Sequence, residues 1–387
     1  MTQEPPLSGI LVLEVGAFMA APFATMQLAD LGARVIKVEP PDGGDQTRAS
    51  GPFVDGESSP FLRLNRNKES VVLDLKQARD HDAFLRMADR ADVVVENMRP
   101  GAMARLGLDQ AALRERNPGL VVASASGWGQ DGPAADRPGL DIMAQAASGL
   151  MSVTGDPDGE PAKVGVPLCD LTTALYVALA VTAALRERDR SGLGQHIDVS
   201  LLESGVSLAV WEAGMWFGDG AVAHRQGSAH QRYAPYQAIR TGDGYVTVGA
   251  NTPRLWAALC SALDLEKLVS DPDFADPSAR LANRVELIRR IEEVTTTTSS
   301  AEVIAALRGA GVPCALIGGY DDVFTDPVLG ERDFFWDADH PRVGPVRQLG
   351  SPMRFSRTPV RRGDAGPSLG AATADVLAEF AGPEATA

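Results

Sequence analysis

The sequence predicts an α/β protein built on a mostly parallel sheet, with a second, smaller α/β unit. Three observations carry this. β-Branched apolar runs alternate with helical patterns over the first 130 residues, the signature of βαβ units. Composition changes over 218–236, where Gly, Ser, His and Arg replace periodic segments, and a fresh strand and helix pattern follows. Finally, 387 residues at 44% hydrophobic and 22% charged are ample for a large core. That length allows roughly two or three domains.

The elements follow in order. Ile10–Glu14 reads as a strand. Pro22–Leu31 reads as a helix, with Pro in its first turn and Gly32 just beyond its end. Ala33–Glu39 and Ser70–Leu75 are the next strands, and a helix runs from the second through Met87. Strands Asp92–Glu96 and Leu120–Ala125 bracket a helical stretch, Ala102–Arg116. Asp141–Leu150 and Leu171–Leu185 are helical, Gln195–Ser200 is a short strand, and helical residues continue to about Phe217. Past the linker come strand Tyr245–Gly249, helices Arg254–Leu263, Ser278–Val294 and Ala301–Gly309, and strand Cys314–Ile317. After Tyr320 the chain is rich in Pro and Gly, with a last helix at Ala371–Phe380.

Charge narrows the partners. Lys and Arg number 36 against 51 Asp and Glu, a net −15. Such a chain repels the phosphates of nucleic acids and anionic membranes, so neither is expected as a partner. An anionic ligand then needs local cations or helix N-termini. Cys169, Cys260 and Cys314 are odd in number and far apart, which indicates neither a disulfide framework nor a metal site. A cytoplasmic location is expected from that usage. The opening Met1-Thr-Gln-Glu-Pro-Pro lacks the basic and then apolar layout of a signal peptide. The most apolar stretch, Leu171–Leu185, is 15 residues, short of the roughly 20 that span a bilayer, and reads as a buried core helix.

Several chemistries fall away by motif. The first strand–helix turn, Glu14-Val-Gly-Ala-Phe-Met-Ala-Ala-Pro22, carries one glycine where a dinucleotide fingerprint needs three. There is no phosphate-binding GxxxxGK[ST], no GxSxG elbow and no HExxH. The five histidines are scattered. What stands out is Asp170, directly before an apolar helix in Gly165-Val-Pro-Leu-Cys-Asp170-Leu-Thr-Thr-Ala174. Two readings remain open on spacing alone. Asp170 caps the helix, a contribution of about 1 kcal/mol. Alternatively, the helix dipole keeps it ionised as a nucleophile toward an acyl carbon.

A longer pattern bears on that choice. Leu7–Glu14 and Ala21–Pro40 are followed by Leu64-Asn-Arg66-Asn-Lys68 and by Asp92-Val-Val-Val-Glu-Asn97-Met-Arg99-Pro-Gly101. Ser124–Pro133, Gly139-Leu-Asp141 through Gly149, and the Asp170 segment continue the series. In this order the motifs resemble family III CoA-transferases, the formyl-CoA transferase and carnitine CoA-transferase type, over essentially the whole chain. Ala174 departs from the family's usual Gly, a small-for-small change.

The resemblance implies a large lobe with a parallel-sheet, Rossmann-like core, a small α/β lobe, and two chains threaded as an interlocked, ring-like homodimer. It divides the chain into a large lobe at 1–217, a linker at 218–236, a small lobe at 237–325 and a return segment at 326–387 that completes the large lobe. It assigns Asp170 as the nucleophile that carries the acyl group and then CoA. Coenzyme A and its acyl thioesters are then substrates, with no tightly bound cofactor and no metal. Lys68, Asn97 and Arg105 are implied CoA contacts. Met19, Lys37 and Arg99 are further candidates by position, as is Arg66. Backbone N–H groups near Gly139 or Gly165 are candidate oxyanion donors.

The same superfamily holds 2-methylacyl-CoA racemases, whose His-Asp segment supplies two acid/base groups. Here Leu140 stands in place of that His, and leucine transfers no proton. Among acids, formyl transfer is disfavoured by bulky Phe18 and Met19 and by glycine runs no longer than two. A larger acid, such as a dicarboxylate or carnitine-like acid, is expected, with Arg232 or Arg240 as candidates for a second carboxylate.

Overall fold

A computed structural model describes residues 4–381. Residues 1–3, where the leader reading begins, and 382–387, the end of the return segment, lie outside the described residues. The chain forms two compact units. The first holds the chain up to Leu150, Lys163–Phe217, and the chain from Val328 onward. The second holds Met151–Ala162 and Gly218–Pro327.

The first unit is organised by six strands: β1 (Leu11–Val15), β2 (Arg34–Glu39), β3 (Lys68–Val72), β4 (Val93–Glu96), β5 (Val121–Ser126) and β6 (His196–Ser200). They lie in the order β3-β2-β1-β4-β5-β6, and every pairing is parallel. Strand order reverses between β1 and β4, where β1 pairs on one side with Arg34 and Val35 and on the other with Val93 and Val94.

Alternation along each strand splits the core. Val12, Val35, Val93, Val95 and Ala123 face a layer made by helix α1 (Ala20–Asp30) and by Ala174, Val177 and Val181 of a long helix. Leu13, Ile36, Val94 and Val122 face Phe84 and Met87 of helix Ala78–Ala88, together with Val376 and Phe380 from the chain's end. Full burial of each such aliphatic side chain stabilises by about 1.5–3 kcal/mol. Coverage on both faces explains why the central runs Val93–Val95 and Val121–Ala123 are apolar without alternation.

The structure corrects several expectations. The apolar stretch at Leu171–Leu185 is the middle of a 24-residue helix, Leu168–Ser191. By length and composition this helix could cross a membrane, and 44% of its most apolar window is buried. One face packs on α1 and β5, while Leu175 and Leu179 stay exposed on the other, so it is not buried all round. The expected Ala102–Arg116 helix breaks into Ala102–Arg105 and Gln110–Arg116. Gly107 adopts φ +69°, and Asp109 caps the second piece by accepting from Ala111 and Ala112 N–H. The Pro- and Gly-rich tail also contains a hairpin, Phe335–His340 with Gly344–Leu349.

The second unit carries an antiparallel sheet of β7 (Tyr236–Arg240), β8 (Tyr245–Gly249) and β9 (Cys314–Leu316), with β8 in the middle. Trp256, Leu259, Ile291 and Leu307 from its helices form the core. The expected helix Ser278–Val294 is two, Pro277–Ala282 and Arg284–Thr295, broken at Asn283. The expected linker 218–236 belongs to this unit, and so does Met151–Ala162, which had been placed in the large lobe.

Candidate active site

In an open parallel sheet, ligands bind beyond the carboxyl ends of the strands where strand order reverses. A cavity of about 940 Å³ opens there in the first unit. Its wall is drawn from the turns after β1, β2, β4 and β5, from Gly139–Ile142, and from Lys163, Asp170 and Leu201. The β1 turn is held by Asn97, whose amide oxygen accepts from Ala17 N–H at 3.0 Å while its NH₂ donates to Ala17 C=O at 2.9 Å. This reach demands a bare backbone at Gly16. A Cβ there would lie 2.5 Å from the Asn97 oxygen and 2.8 Å from the Ala21 methyl. The next residue but one, Phe18, sits at φ +60°, and its N–H donates to Asp45. A non-glycine residue in that region stores strain.

Asp170 lies in the first turn of α3 (Leu168–Ser191), and α2 (Asp141–Ala147) runs beside it. The capping reading of Asp170 is corrected, because its side chain makes no cap bond. Asp141 takes that role from the neighbouring helix, accepting from Cys169 N–H at 2.9 Å and Asp170 N–H at 3.3 Å. Gln145, one turn on, donates to the other Asp141 oxygen at 2.6 Å and accepts from Val164 N–H at 2.9 Å. Burial first, and then the Asp141 charge, push the Asp170 carboxyl up from its ordinary 3.8 to about 7. Burial and the Asp141 charge thus oppose the helix dipole that was expected to keep Asp170 ionised. The arrangement presents a half-buried carboxylate, relieved of structural duty, on a cavity wall.

Met19, Asn97, Arg99, Arg105 and Asp170 all line this one cavity, as do Leu140 and Gly139. Lys37 and Lys68 do not, and their expected phosphate contacts are corrected. Both amines are fully buried beneath the β1 turn. Lys37 Nζ meets Glu14 at 2.5 Å and Asp45 at 2.8 Å. Lys68 Nζ donates to Glu14, to Pro22 C=O and to Asn65, each at 2.8 Å. A buried ammonium requires such partners, and these saturate both. Arg66 is likewise buried against Asp30. Arg240 is paired with Glu292, and both it and Arg232 belong to the second unit.

The residues missed were Asp141 as a helix cap, Gln145 and Lys163. The four-residue spacing of Asp141 and Gln145 places both on one helix face, a signal the sequence did contain. No histidine lines the cavity, and His196 instead meets Ser124 Oγ at 3.1 Å. Among the described residues no group of three or more His, Cys, Asp or Glu is placed to hold a metal.

A parallel sheet with a carboxylate and two arginines at its switch point, none of them ion-paired among the described residues, has the make-up of an α/β enzyme site for an anionic ligand. The chain belongs to CoA-transferase family III, whose family model matches residues 7–373. It is 38% identical to the succinate–glutarate CoA-transferase of Agrobacterium fabrum, with 100% of this chain and 98% of that one covered. It is 37% identical to the succinyl-CoA:mesaconate CoA-transferase of Haloarcula hispanica, with 96% of each covered. The crystal structure of a CaiB/BaiF family protein from Brucella suis superposes with a TM-score of 0.90 at 36% identity, covering 98% of this chain and all of that one. The chain is an enzyme of the CoA-transferase type, acting on CoA thioesters.

Proposed function

We propose that this enzyme moves CoA between a short dicarboxylic acid and an acyl-CoA through covalent intermediates on Asp170. The observation that carries the reading is the Asp170 carboxylate itself, half-buried on the cavity wall and excused from capping by Asp141. A carboxylate oxygen of Asp170 attacks the thioester carbonyl and expels CoA thiolate, leaving a mixed anhydride. The thiolate then attacks the aspartyl carbonyl, releasing the donor acid and leaving an aspartyl-CoA thioester. The acceptor carboxylate attacks that thioester and expels the thiolate, leaving a second mixed anhydride. The thiolate then attacks its acceptor-derived carbonyl, forming the new acyl-CoA and restoring the Asp170 carboxylate. The covalent steps conserve the thioester throughout.

Arg99 and Arg105, which line the cavity from the loop after β4, are the cations proposed for the CoA phosphates. A dicarboxylic substrate is supported by relatives that act on glutarate and mesaconate. A cytoplasmic location fits three free cysteines. The interlocked homodimer is supported by exposed Leu175, Tyr176 and Leu179 on one face of α3. Light scattering at micromolar concentration tests it, a monomer being the contrary result. The decisive experiment for the reaction presents purified protein with acyl-CoA donors and free acids, with exchange read by mass spectrometry. Absence of exchange with every pair would overturn the reading.

Acidity sets a further expected result. Asp170 attacks only when ionised, so kcat/KM for the donor should rise with pH through a midpoint near 7. Asp141→Asn removes the neighbouring like charge, while its amide oxygen can still accept the Cys169 and Asp170 N–H bonds. The midpoint should then move to lower pH. A midpoint unmoved in Asp141→Asn would show that burial alone sets it.

A further inference from the structure

Six charged residues line the cavity: Asp45, Arg99, Arg105, Asp141, Lys163 and Asp170. Asp45 is neutralised by Lys37. The cations Arg99, Arg105 and Lys163 have no carboxylate partner among the described residues. They fall into two groups by position. Arg99 and Arg105 share the loop and short helix that follow β4. Lys163 belongs to the segment that leads into α3 and carries Asp170.

That segment is tied to the nucleophile by a continuous chain of hydrogen bonds. Val164 N–H, the amide next to Lys163, donates to Gln145 at 2.9 Å. Gln145 donates to Asp141 at 2.6 Å, and Asp141 accepts from Asp170 N–H at 3.3 Å. Lys163 is therefore placed by the same side chains that place Asp170. Among the described residues its ammonium donates only to the carbonyl of Val164, at 3.1 Å, a neutral local acceptor from which it can re-pair with an anion.

The substrates themselves divide the work. CoA carries its phosphates at the end of the molecule remote from the thioester, so cations for them belong away from the nucleophile. A short dicarboxylic acid instead carries its second carboxylate a few methylenes from the reacting one. That charge must enter beside two carboxylates, Asp141 and Asp170, and is repelled unless a cation waits there. We propose that Lys163 pairs with the second carboxylate of the acid substrate and so determines selection of dicarboxylic over monocarboxylic acids. The proposal rests on the CoA-transfer reading above and adds the residue that reads the acid.

The test compares glutarate with valerate, and adipate with hexanoate, as acceptors for wild type, Lys163→Met and Lys163→Arg. In a ping-pong exchange kcat/KM for the acceptor is independent of the donor half-reaction, so the diacid-to-monoacid ratio isolates acid recognition. Wild type should favour diacids. Lys163→Met should lower the ratio by about tenfold or more, the loss of one charge-assisted contact, and Lys163→Arg should recover much of it. A ratio unchanged in Lys163→Met, or proportional losses with both classes of acid, would overturn the proposal. So would a wild type that prefers monoacids, although CoA transfer itself would then stand. A wild type that transfers CoA to no acid at all would instead sink the underlying reading, and the proposal with it.

Discussion

Asp170→Asn is expected to fold, to bind acyl-CoA and to transfer no CoA. The amide has no anionic oxygen to attack a thioester, and the other two carboxylates on the cavity wall are engaged, Asp45 by Lys37 and Asp141 by Gln145 and the α3 N–H groups. Folding should survive because Asp141, not Asp170, accepts the N–H bonds at the start of α3. Stability should even rise near neutrality. A carboxyl whose acidity is weakened by folding from 3.8 to about 7 leaves the native state progressively less stable as pH climbs through that interval. Above about pH 7 the penalty is complete, at most about 4 kcal/mol at 1.4 kcal/mol per tenfold in proton affinity. Below 3.8 both states are protonated and it vanishes. Asn carries no such penalty, so the variant should melt higher than wild type at pH 8, with the gap closing toward pH 4. Wild type mixed with acyl-CoA and then hydroxylamine should acquire a hydroxamate at residue 170. Substantial transfer by the Asn variant, or an adduct mapped to Asp141, would contradict the assignment.

The central strands of the large sheet, β4 and β5, were legible because both their faces are covered. Val93–Val95 and Val121–Val122 are buried and apolar without alternation, the pattern of strands covered on both faces. The hairpin at Phe335–His340 was not legible. Only Ala338 and His340 of that strand are buried, so its pattern is polar and its neighbours are turn residues. Break points such as Asn283 escaped because one apolar stripe continues through Leu287 and Ile291. At the site, Asp170 was legible from the order of motifs around it, but its lack of structural duty was not. That duty falls to a residue 29 positions earlier, and capping between two helices leaves no local spacing to read. The lysines misled for a related reason. A lysine within a motif does not disclose whether its ammonium meets a ligand or a carboxylate of the same chain, although Glu14 stood in the same series of motifs as both.

Lys68→Ala is therefore expected to damage folding rather than CoA affinity. The Lys68 amine is shielded from solvent and makes three bonds of 2.8 Å, one of them an ion pair to a fully buried Glu14. Removing it leaves Glu14 with Lys37 and the Thr25 hydroxyl, and leaves Pro22 C=O and the Asn65 side chain short of a donor. Loss of one partner from a buried pair costs about 3–5 kcal/mol. Whole domains have only about 5–15 kcal/mol of stability. Lys68→Ala should therefore unfold at much lower denaturant concentration, with little soluble protein. The folded fraction should bind acyl-CoA as wild type does, because the amine never reaches the cavity. Lys68→Met combined with Glu14→Gln removes both charges and keeps side-chain volume, so it should recover part of the loss seen in Lys68→Met alone. Chemical denaturation of the three variants, alongside acyl-CoA binding at low denaturant, separates the two roles. A Lys68→Met enzyme with wild-type stability and weakened acyl-CoA binding would return this lysine to the phosphates. Normal binding in an unstable protein would place it under the β1 turn, holding the backbone from which the cavity is made.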